Sequence, residues 1–235
     1  MHLRRKKNLS CPISLLSQVK PGAFTINKRS YFFWLHFRSN FQLSALLTTF
    51  TQIKALIQNL TLLDGQKFQI TIQRLCHQLI ENHDLFTNSV IIGIQPRGIF
   101  LAKRIIDELE KKLPKVKIKH GNLDITFFRD DFRRKDALIP RPTEIKFFIE
   151  GKNVILVDDV LWTGRTIRAA MDALLAFGRP AKVELLTLVD RRYSRHLPIE
   201  ADYIGIKVDT IDSQKVIVSW KETDSEDKVI LLSEK

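Results

Sequence analysis

The chain has 235 residues, of which 44% are hydrophobic and 27% charged, so it can bury one good core in one or two domains. Its formal net charge is +12, but residues 1–60 hold nine basic and no acidic side chains, which leaves only +3 for the remainder and gives weak support for nucleic-acid binding by a folded domain. No uncharged stretch approaches the roughly 18 apolar residues of a membrane span. Two cysteines far apart in sequence, Cys11 and Cys76, give no support to a disulfide framework or a zinc site, so a reducing cytoplasm is the expected location.

Residues 1–60 differ in composition from the rest of the chain and show no sustained period of two or 3.6 residues. Three interpretations are open: an Arg-rich organelle transit peptide, a basic aromatic arm for nucleic acid, and upstream sequence translated from a start codon placed too early. The third is favoured, because unselected reading frames also interleave aromatic and basic residues. We expect a disordered or misplaced extension over residues 1–60 and a folded domain over residues 61–235.

The first element predicted in this domain is an amphipathic helix over residues 67–82, where apolar side chains recur at helical spacing. A short apolar strand, Val90–Ile94, follows and leads into Gln95-Pro96-Arg97-Gly98. A second helix begins there. Its apolar positions are Ile99, Ala102, Ile105, Ile106 and Leu109.

The middle of the chain is more polar. Lys111–Lys119 contains five lysines in nine residues, which we interpret as a solvated helix end followed by a strand through Val116–Ile118. A further strand over Leu123–Phe128 runs into Arg129-Asp130-Asp131. The polar, proline-containing stretch beyond these residues predicts a mobile loop.

The most informative run is Val154–Thr166, in which an apolar strand ends in Asp158 and Asp159 and a small polar turn opens a helix. Such a strand suits a parallel sheet buried on both faces, whose ligand site lies at the carboxyl ends of its strands. Adjacent acids can accept hydrogen bonds from vicinal sugar hydroxyls, and the backbone N–H groups of Thr163–Thr166 face an anion at the helix start. The run therefore predicts a site for a phosphorylated sugar; the alternative is an ordinary acidic turn before an N-capped helix.

The remaining elements complete an alternating pattern of strands and helices. The helix after the acidic turn closes at Gly178, and buried strands follow over Val183–Val189 and Asp202–Val208. Lys215–Trp220 and Lys228–Leu232 predict a terminal hairpin. Alternation of this kind predicts an α/β protein with a parallel, doubly wound sheet.

The run Val154–Thr166 resembles the signature of the type I phosphoribosyltransferases that binds phosphoribosyl pyrophosphate (PRPP). From about Leu63 onward, the chain resembles more narrowly the bifunctional family of pyrimidine operon attenuation proteins and uracil phosphoribosyltransferases. The segments that carry this likeness are Ile92–Ala102, Asp124–Asp131, Val154–Thr166, Leu188–Arg191 and Leu197–Gly205. The resemblance implies a type I phosphoribosyltransferase fold, with a mainly parallel five-stranded sheet, flanking helices and a small hood. It also implies Mg²⁺ as cofactor, PRPP and uracil as substrates, and UMP and pyrophosphate as products.

The same resemblance implies roles for individual residues. Asp158, Asp159 and Arg97 are the expected catalytic residues: the acids hold the ribose hydroxyls and, through them or water, the metal, while Arg97 binds pyrophosphate oxygens. The peptide bond before Pro96 is expected to be cis, and Pro96 departs from the Thr that is common in relatives. The expected PRPP site comprises Pro96, Arg97, Gly98, Asp158, Asp159, Val160, Leu161, Trp162, Thr163, Gly164, Arg165 and Thr166.

Two further sets of residues are assigned by the resemblance. Arg129, Asp130 and Asp131 form the hood segment that closes over PRPP, with local salt bridges as the alternative. Arg191 and backbone groups near Val216 recognise the pyrimidine. Gly98 is expected to let the backbone approach the pyrophosphate closely.

The bifunctional family also implies an RNA partner: a basic face of a dimer binds an mRNA hairpin, and UMP favours that binding. The segment Arg191-Arg192-Tyr193-Ser194-Arg195-His196 is one residue longer than the family's pattern, and its three arginines and histidine could meet phosphates. A homodimer or higher homo-oligomer is expected from the family. Two alternatives stay open: a phosphoribosyltransferase for another base such as hypoxanthine, and an RNA-binding regulator with vestigial catalysis.

Overall fold

A computed structural model of the chain describes residues 59–130, 139–211 and 213–233. The extension predicted over residues 1–60 therefore lies outside the described residues, except for its last two, which belong to the first strand. In chain order, the strands and helices are β1 (Asn59–Leu63), α1 (Gly65–His83), β2 (Ser89–Ile94), α2 (Gly98–Lys112), β3 (His120–Leu123), β4 (Asn153–Leu161), α3 (Arg165–Leu174), β5 (Lys182–Arg192), β6 (Tyr203–Asp209), β7 (Gln214–Ser219), α4 (Lys221–Asp224) and β8 (Lys228–Ser233).

Five parallel strands form the central sheet in the order β3-β2-β4-β5-β6. This arrangement confirms the predicted five-stranded sheet. β2 is buried along its whole length, as expected for an apolar strand between two helix layers. β4 lies in the middle, and its pairing with β5 continues as far as Leu161 and Asp190. The acids Asp158 and Asp159 therefore lie within this strand, whereas the sequence predicts that the strand ends at them.

Helices cover both faces of the central sheet. α1 and α2 pack on one face together with Ile91 and Ile155, and α3 packs on the other face with Ile92 and Leu156. The carboxylate of Asp64 accepts the N–H of Lys67 at 2.9 Å and so caps the start of α1. Within the described residues, no helix combines the length and apolarity that crossing a bilayer requires.

A second, antiparallel sheet contains β1, β8 and β7. We call β1, β7, α4 and β8 together the hood sheet. The predicted terminal hairpin is confirmed, and β1 adds a third strand that the sequence analysis does not predict.

Aromatic and ionic contacts join the hood sheet to α1 and α2. Trp220 is fully buried after β7, and its ring meets that of Phe68 edge-on with centroids 5.5 Å apart. Arg104 of α2 lies over the Trp220 ring and pairs with Glu222 at 2.7 Å and with Asp227. The hood sheet is therefore held against the two helices by a buried aromatic pair and a charged group beside it.

The strand predicted over Leu123–Phe128 is wrong beyond its first residue. β3 ends at Leu123, and Thr126–Phe128 forms a short 3-10 helix. Asp124 accounts for the exit from the sheet, because its carboxylate accepts the hydroxyl of Thr126 at 2.7 Å and the N–H of Arg141 at 3.2 Å. Such local side-chain bonds compete with the bonds of a strand ladder.

The strand predicted through Val116–Ile118 is also wrong. The N–H of Val116 donates to the carbonyl oxygen of Leu113 at 2.9 Å, so the chain turns after α2, and β3 begins only at His120. Most of the loop predicted after Asp130, residues 131–138, lies outside the described residues.

We expect Cys76 to resist alkylation in the folded protein. Its side chain is fully buried, and burial raises the pKa of the thiol to about 12, so the reactive thiolate is scarce at pH 8. Treatment with iodoacetamide followed by mass analysis of the Cys76 peptide should show no modification without denaturant and complete modification in concentrated urea. Modification of the folded protein at the rate of a free thiol would contradict the prediction.

Candidate active site

The carboxyl end of the central sheet carries a cleft of about 1100 Å³. Its lining comprises Arg97, Arg129, Asp158 to Ile167, Arg191, His196 and Gln214 to Val218. The structure thus brings most of the predicted site residues together, although they come from distant parts of the chain. Pro96, Gly98 and Asp130 do not line the cleft, and Asp131 lies outside the described residues.

Asp158 and Asp159 lie side by side in β4 and are both largely buried. The carboxylate of Asp158 accepts the N–H of Asp159 at 2.9 Å, and that of Asp159 accepts the N–H of Val160 at 2.8 Å. Burial, followed by the charge of Asp159, raises the pKa of Asp158 well above its usual range. Burial also raises the pKa of Asp159, against the opposing charge of Arg97. The pair therefore favours a ligand that brings hydrogen-bond donors or a cation.

Arg97 reaches from the central sheet to the hood sheet. Its Nε donates to Asp159 Oδ2 at 3.0 Å, and its guanidinium also donates to the carbonyl oxygen of Val218 in β7. The carboxylate of Asp224 lies 3.9 Å away. Because the side chain remains 43% exposed, the guanidinium also faces the cleft. This position suits the expected contact with pyrophosphate, which stays a prediction.

The turn before α2 contains Pro96 and leads into Gly98, the first residue of the helix. The peptide bond between Gln95 and Pro96 is cis, as predicted. A Cβ at Gly98 would overlap the carbonyl oxygen of Val157 and lie 3.1 Å from Cα of Asp158. The glycine is thus required by the contact between α2 and β4, and the expected close approach of its backbone to pyrophosphate stays a prediction.

The turn between β4 and α3, Trp162–Gly164, presents the start of α3 to the cleft. Gly164 has a φ of +89°, a left-handed conformation that glycine adopts without a Cβ clash. The hydroxyl of Thr163 accepts the N–H of Arg165 at 3.4 Å. The first N–H groups of a helix have no partner within it, and here they belong to residues that line the cleft. This geometry fits the predicted anion site.

Asp130 makes local salt bridges, which is the alternative left open for the hood segment. Its carboxylate pairs with Arg165 at 2.7 Å and with Arg168 at 3.1 Å, both in α3. Arg129, in contrast, lines the cleft, and its charge opposes the rise in the pKa of Asp158. Neither Arg129 nor Asp130 belongs to the hood sheet, and the closure of their segment over PRPP stays a prediction.

Arg191 connects the β4–α3 turn to the hood sheet. It is buried, its Nε donates to the Thr210 hydroxyl at 3.2 Å, and its guanidinium donates to the carbonyl oxygen of Gln214 at 2.7 Å. The same guanidinium lies 4.7 Å from the centroid of the Trp162 ring. Arg191 and Val216 both line the cleft, so the two residues predicted to recognise the base share one cavity.

The three arginines that could meet phosphates, Arg191 and Arg192 at the end of β5 and Arg195 after it, lie in different positions. Arg191 is buried as described, and Arg195 turns inward to pair with Asp190 and with backbone carbonyl oxygens. Arg192 lies at the surface and pairs with Asp209 at 3.3 Å. The sequence gives no signal for this difference, because inward and outward arginines look alike in a basic run.

Known proteins with similar sequences belong to one family. Residues 58–223 match the phosphoribosyl transferase domain family. The chain is 47% identical to the bifunctional protein PyrR of Desulfosudis oleivorans over 170 residues, which cover 72% of this chain and 93% of the relative. It is 42% identical to the bifunctional protein PyrR of Bacillus subtilis over 177 residues, which cover 74% of this chain and 97% of the relative.

Two solved structures share the fold at lower sequence identity. A hypoxanthine phosphoribosyltransferase from Staphylococcus aureus has a TM-score of 0.56 at 21% identity, covering 75% of this chain and 92% of its own. The hypoxanthine phosphoribosyltransferase of Trypanosoma cruzi has a TM-score of 0.57 at 17% identity, covering 74% of this chain and 97% of its own. At such identities the likeness shows the fold alone.

Proposed function

This chain belongs to the phosphoribosyl transferase family, and from that membership we propose that it transfers the phosphoribosyl group of PRPP to uracil, forming UMP and pyrophosphate. The observation that carries the proposal is the single cleft that holds the paired acids, the start of α3 and the hood strand β7. The extent of the match to the two bifunctional relatives, over 93% and 97% of their lengths, supports it further.

The reaction places opposite charges on two parts of the substrate. Displacement of pyrophosphate builds positive charge on the ribose and negative charge on the leaving group, so the protein mainly positions the reactants and neutralises these charges. Asp158 and Asp159 would accept hydrogen bonds from the ribose hydroxyls and stabilise the positive ring. Arg97 and Arg129, which line the same cleft, would neutralise the departing pyrophosphate.

The acids also suit Mg²⁺. Carboxylate oxygens are ligands that this ion prefers, and it commonly keeps water and substrate oxygens in its coordination shell. In the described ranges, no group of three or more His, Cys, Asp or Glu side chains forms a metal site by itself. We therefore propose that Asp158 and Asp159 hold Mg²⁺ indirectly, through ribose hydroxyls or water. When bound, the ion would supply positive charge to the pyrophosphate.

Uracil would occupy the end of the cleft between Arg191 and β7. Gln214 to Val218 line this region, and main-chain N–H and C=O groups near Val216 would read the polar edge of a pyrimidine. The guanidinium of Arg191 is held by Gln214 and by the Trp162 ring, which gives this part of the cleft a fixed shape.

The direct test is formation of UMP by the purified chain from uracil, PRPP and Mg²⁺, with hypoxanthine as a competing base. We expect turnover on uracil and little on hypoxanthine. Turnover on hypoxanthine alone would assign the chain to another base. PRPP binding without turnover on either base would instead favour a regulator with vestigial catalysis.

A second activity is proposed because the relatives named above are bifunctional. An mRNA hairpin would bind to a basic face of a homodimer in the cytoplasm, with UMP strengthening the complex. The inward positions of Arg191 and Arg195 remove these side chains from the candidates for phosphate contact, so the contacts would come from other basic residues. Gel shifts of an RNA hairpin with and without UMP test this activity separately from catalysis.

A further inference from the structure

The β4–α3 turn is held from behind by the segment that follows β5. Arg195 donates to the carbonyl oxygen of Leu161 at 3.1 Å and also to that of Trp162. The carbonyl oxygen of Thr163 accepts the N–H groups of His196 at 3.0 Å and Leu197 at 3.3 Å. Three successive carbonyl groups, that of Leu161 at the end of β4 and those of Trp162 and Thr163 in the turn, therefore point toward one neighbouring segment.

This arrangement fixes the direction of the N–H groups in the same turn. In a trans peptide the C=O of one residue and the N–H of the next point in opposite directions, and the peptides of this turn are trans. Because the carbonyls of Trp162 and Thr163 face the segment after β5, the N–H groups of Thr163 and Gly164 face away from it, toward the cleft that both residues line. Adjacent N–H groups aimed into one concavity make an anion site.

Arg195 is itself fixed by contacts that a different side chain would not reproduce. Its guanidinium also pairs with Asp190 and donates to the carbonyl oxygens of Arg191 and Ile199, at 3.1 Å each. The side chain is only 23% exposed. A planar guanidinium with five N–H groups can serve several acceptors at once, whereas a lysine ammonium has only three donors on a flexible stem.

We propose that Arg195 is a positioning residue for the 5′-phosphate of PRPP and UMP: it holds the carbonyl groups of the β4–α3 turn from behind and thereby keeps the N–H groups of Thr163 and Gly164 directed at the phosphate. The inference rests on the proposed function, which supplies the phosphate. It assigns to Arg195 an effect on ligand binding without any contact with the ligand.

The test compares ligands with and without the 5′-phosphate. Calorimetry with UMP and with uridine would be carried out on the wild-type chain, Arg195→Gln and Arg195→Lys. We expect Arg195→Gln to weaken UMP binding by about 10- to 100-fold and to leave uridine binding unchanged, with Arg195→Lys in between. In steady-state assays, KM for PRPP should rise more than kcat falls.

Arg192→Gln is the matched control, because Arg192 lies three positions away at the surface, and it should bind both ligands as the wild type does. Equal weakening of UMP and uridine binding, or an Arg195→Gln variant that binds UMP like the wild type, would overturn the proposal. If Arg195→Gln does not fold, Arg195→Lys carries the same comparison. A wild-type chain that binds neither UMP nor PRPP would instead overturn the proposed function and this inference with it.

Discussion

Replacing Asp158 by Asn is expected to remove most of the phosphoribosyl transfer activity while raising the thermal stability of the protein. The variant lacks a carboxylate that accepts the ribose hydroxyls, so kcat/KM should fall by about 100- to 1000-fold. Asp158 is buried beside Asp159, and burial together with that charge raises its pKa, so a neutral amide removes an unfavourable charge. We expect Tm to rise by about 2–4 °C, which corresponds to about 1 kcal/mol in a domain of this size.

The stability that Asp158→Asn gains over the wild type should increase with pH. A group whose pKa is higher in the folded state than in the unfolded chain stabilises the fold below its unfolded pKa, and this contribution is lost as the pH rises through the folded pKa. Asp158→Asn should therefore melt above the wild type near pH 8, and the two curves should converge as the pH falls toward about 4, the ordinary value for Asp. Circular dichroism melts over this range measure the difference.

Two further Asp→Asn changes serve as controls. Asp159→Asn should also lose turnover, with a smaller rise in Tm, because burial raises the pKa of Asp159 too but Arg97 opposes that rise and loses its partner at 3.0 Å. Asp172→Asn alters an exposed position in α3 and should change neither property. Retained PRPP affinity in Asp158→Asn would contradict the assignment of the ribose site, and a lower Tm at pH 8 would contradict the unfavourable charge.

Gly98→Ala is expected to destabilise the protein by about 1–3 kcal/mol and to remove most of its activity. The added Cβ would overlap the carbonyl oxygen of Val157 and press on Cα of Asp158. Both neighbours are backbone atoms of the central strand, so relief requires α2 and β4 to move apart. That movement would displace Arg97 and the paired acids together. Urea unfolding and the UMP assay measure the two effects.

Gly65→Ala provides the matched control for this change. Gly65 also opens a helix, α1, and a Cβ there would meet nothing within 4 Å. Alanine restricts the unfolded chain and favours the helix, so the control should be neutral or stabilising by roughly 0.5–1 kcal/mol. A Gly98→Ala protein as stable as Gly65→Ala would contradict the prediction, because it would show that α2 and β4 can move apart at little cost in stability.

The central sheet could be predicted from the sequence because its inner strands contain buried apolar runs. β2 and the first half of β4 are short apolar runs, and such runs are typical of buried parallel strands. The second half of β4 begins with two acids, which suggest the end of the strand, and its pairing with β5 keeps Asp158 to Leu161 in the strand. The strand predicted over Leu123–Phe128 is wrong beyond Leu123, because the carboxylate of Asp124 accepts hydrogen bonds from nearby donors and the chain leaves the sheet there.

Part of the cleft could also be predicted from the sequence. Asp158, Asp159 and the turn after them are contiguous, so one motif places them at one edge of the sheet. Arg195 is different: its interaction with the carbonyl oxygens of Leu161 and Trp162 joins positions more than thirty residues apart. The direction of an arginine side chain depends on such distant acceptors, and the local sequence around Arg195 does not indicate where they lie.

The pairing of β1 with β8 has a consequence for how the protein is made. Asn59 lies opposite Leu232, so the first and last described strands are neighbours in the hood sheet, and β8 in turn pairs with β7, which lines the cleft. During synthesis, β1 emerges from the ribosome long before its partner exists, and closing so long a loop is a slow step. The nascent chain therefore cannot present a complete cleft until β8 has been translated, and a truncated product that lacks this strand would keep the sheet edge with Asp158 and Asp159 but lose the support for its hood.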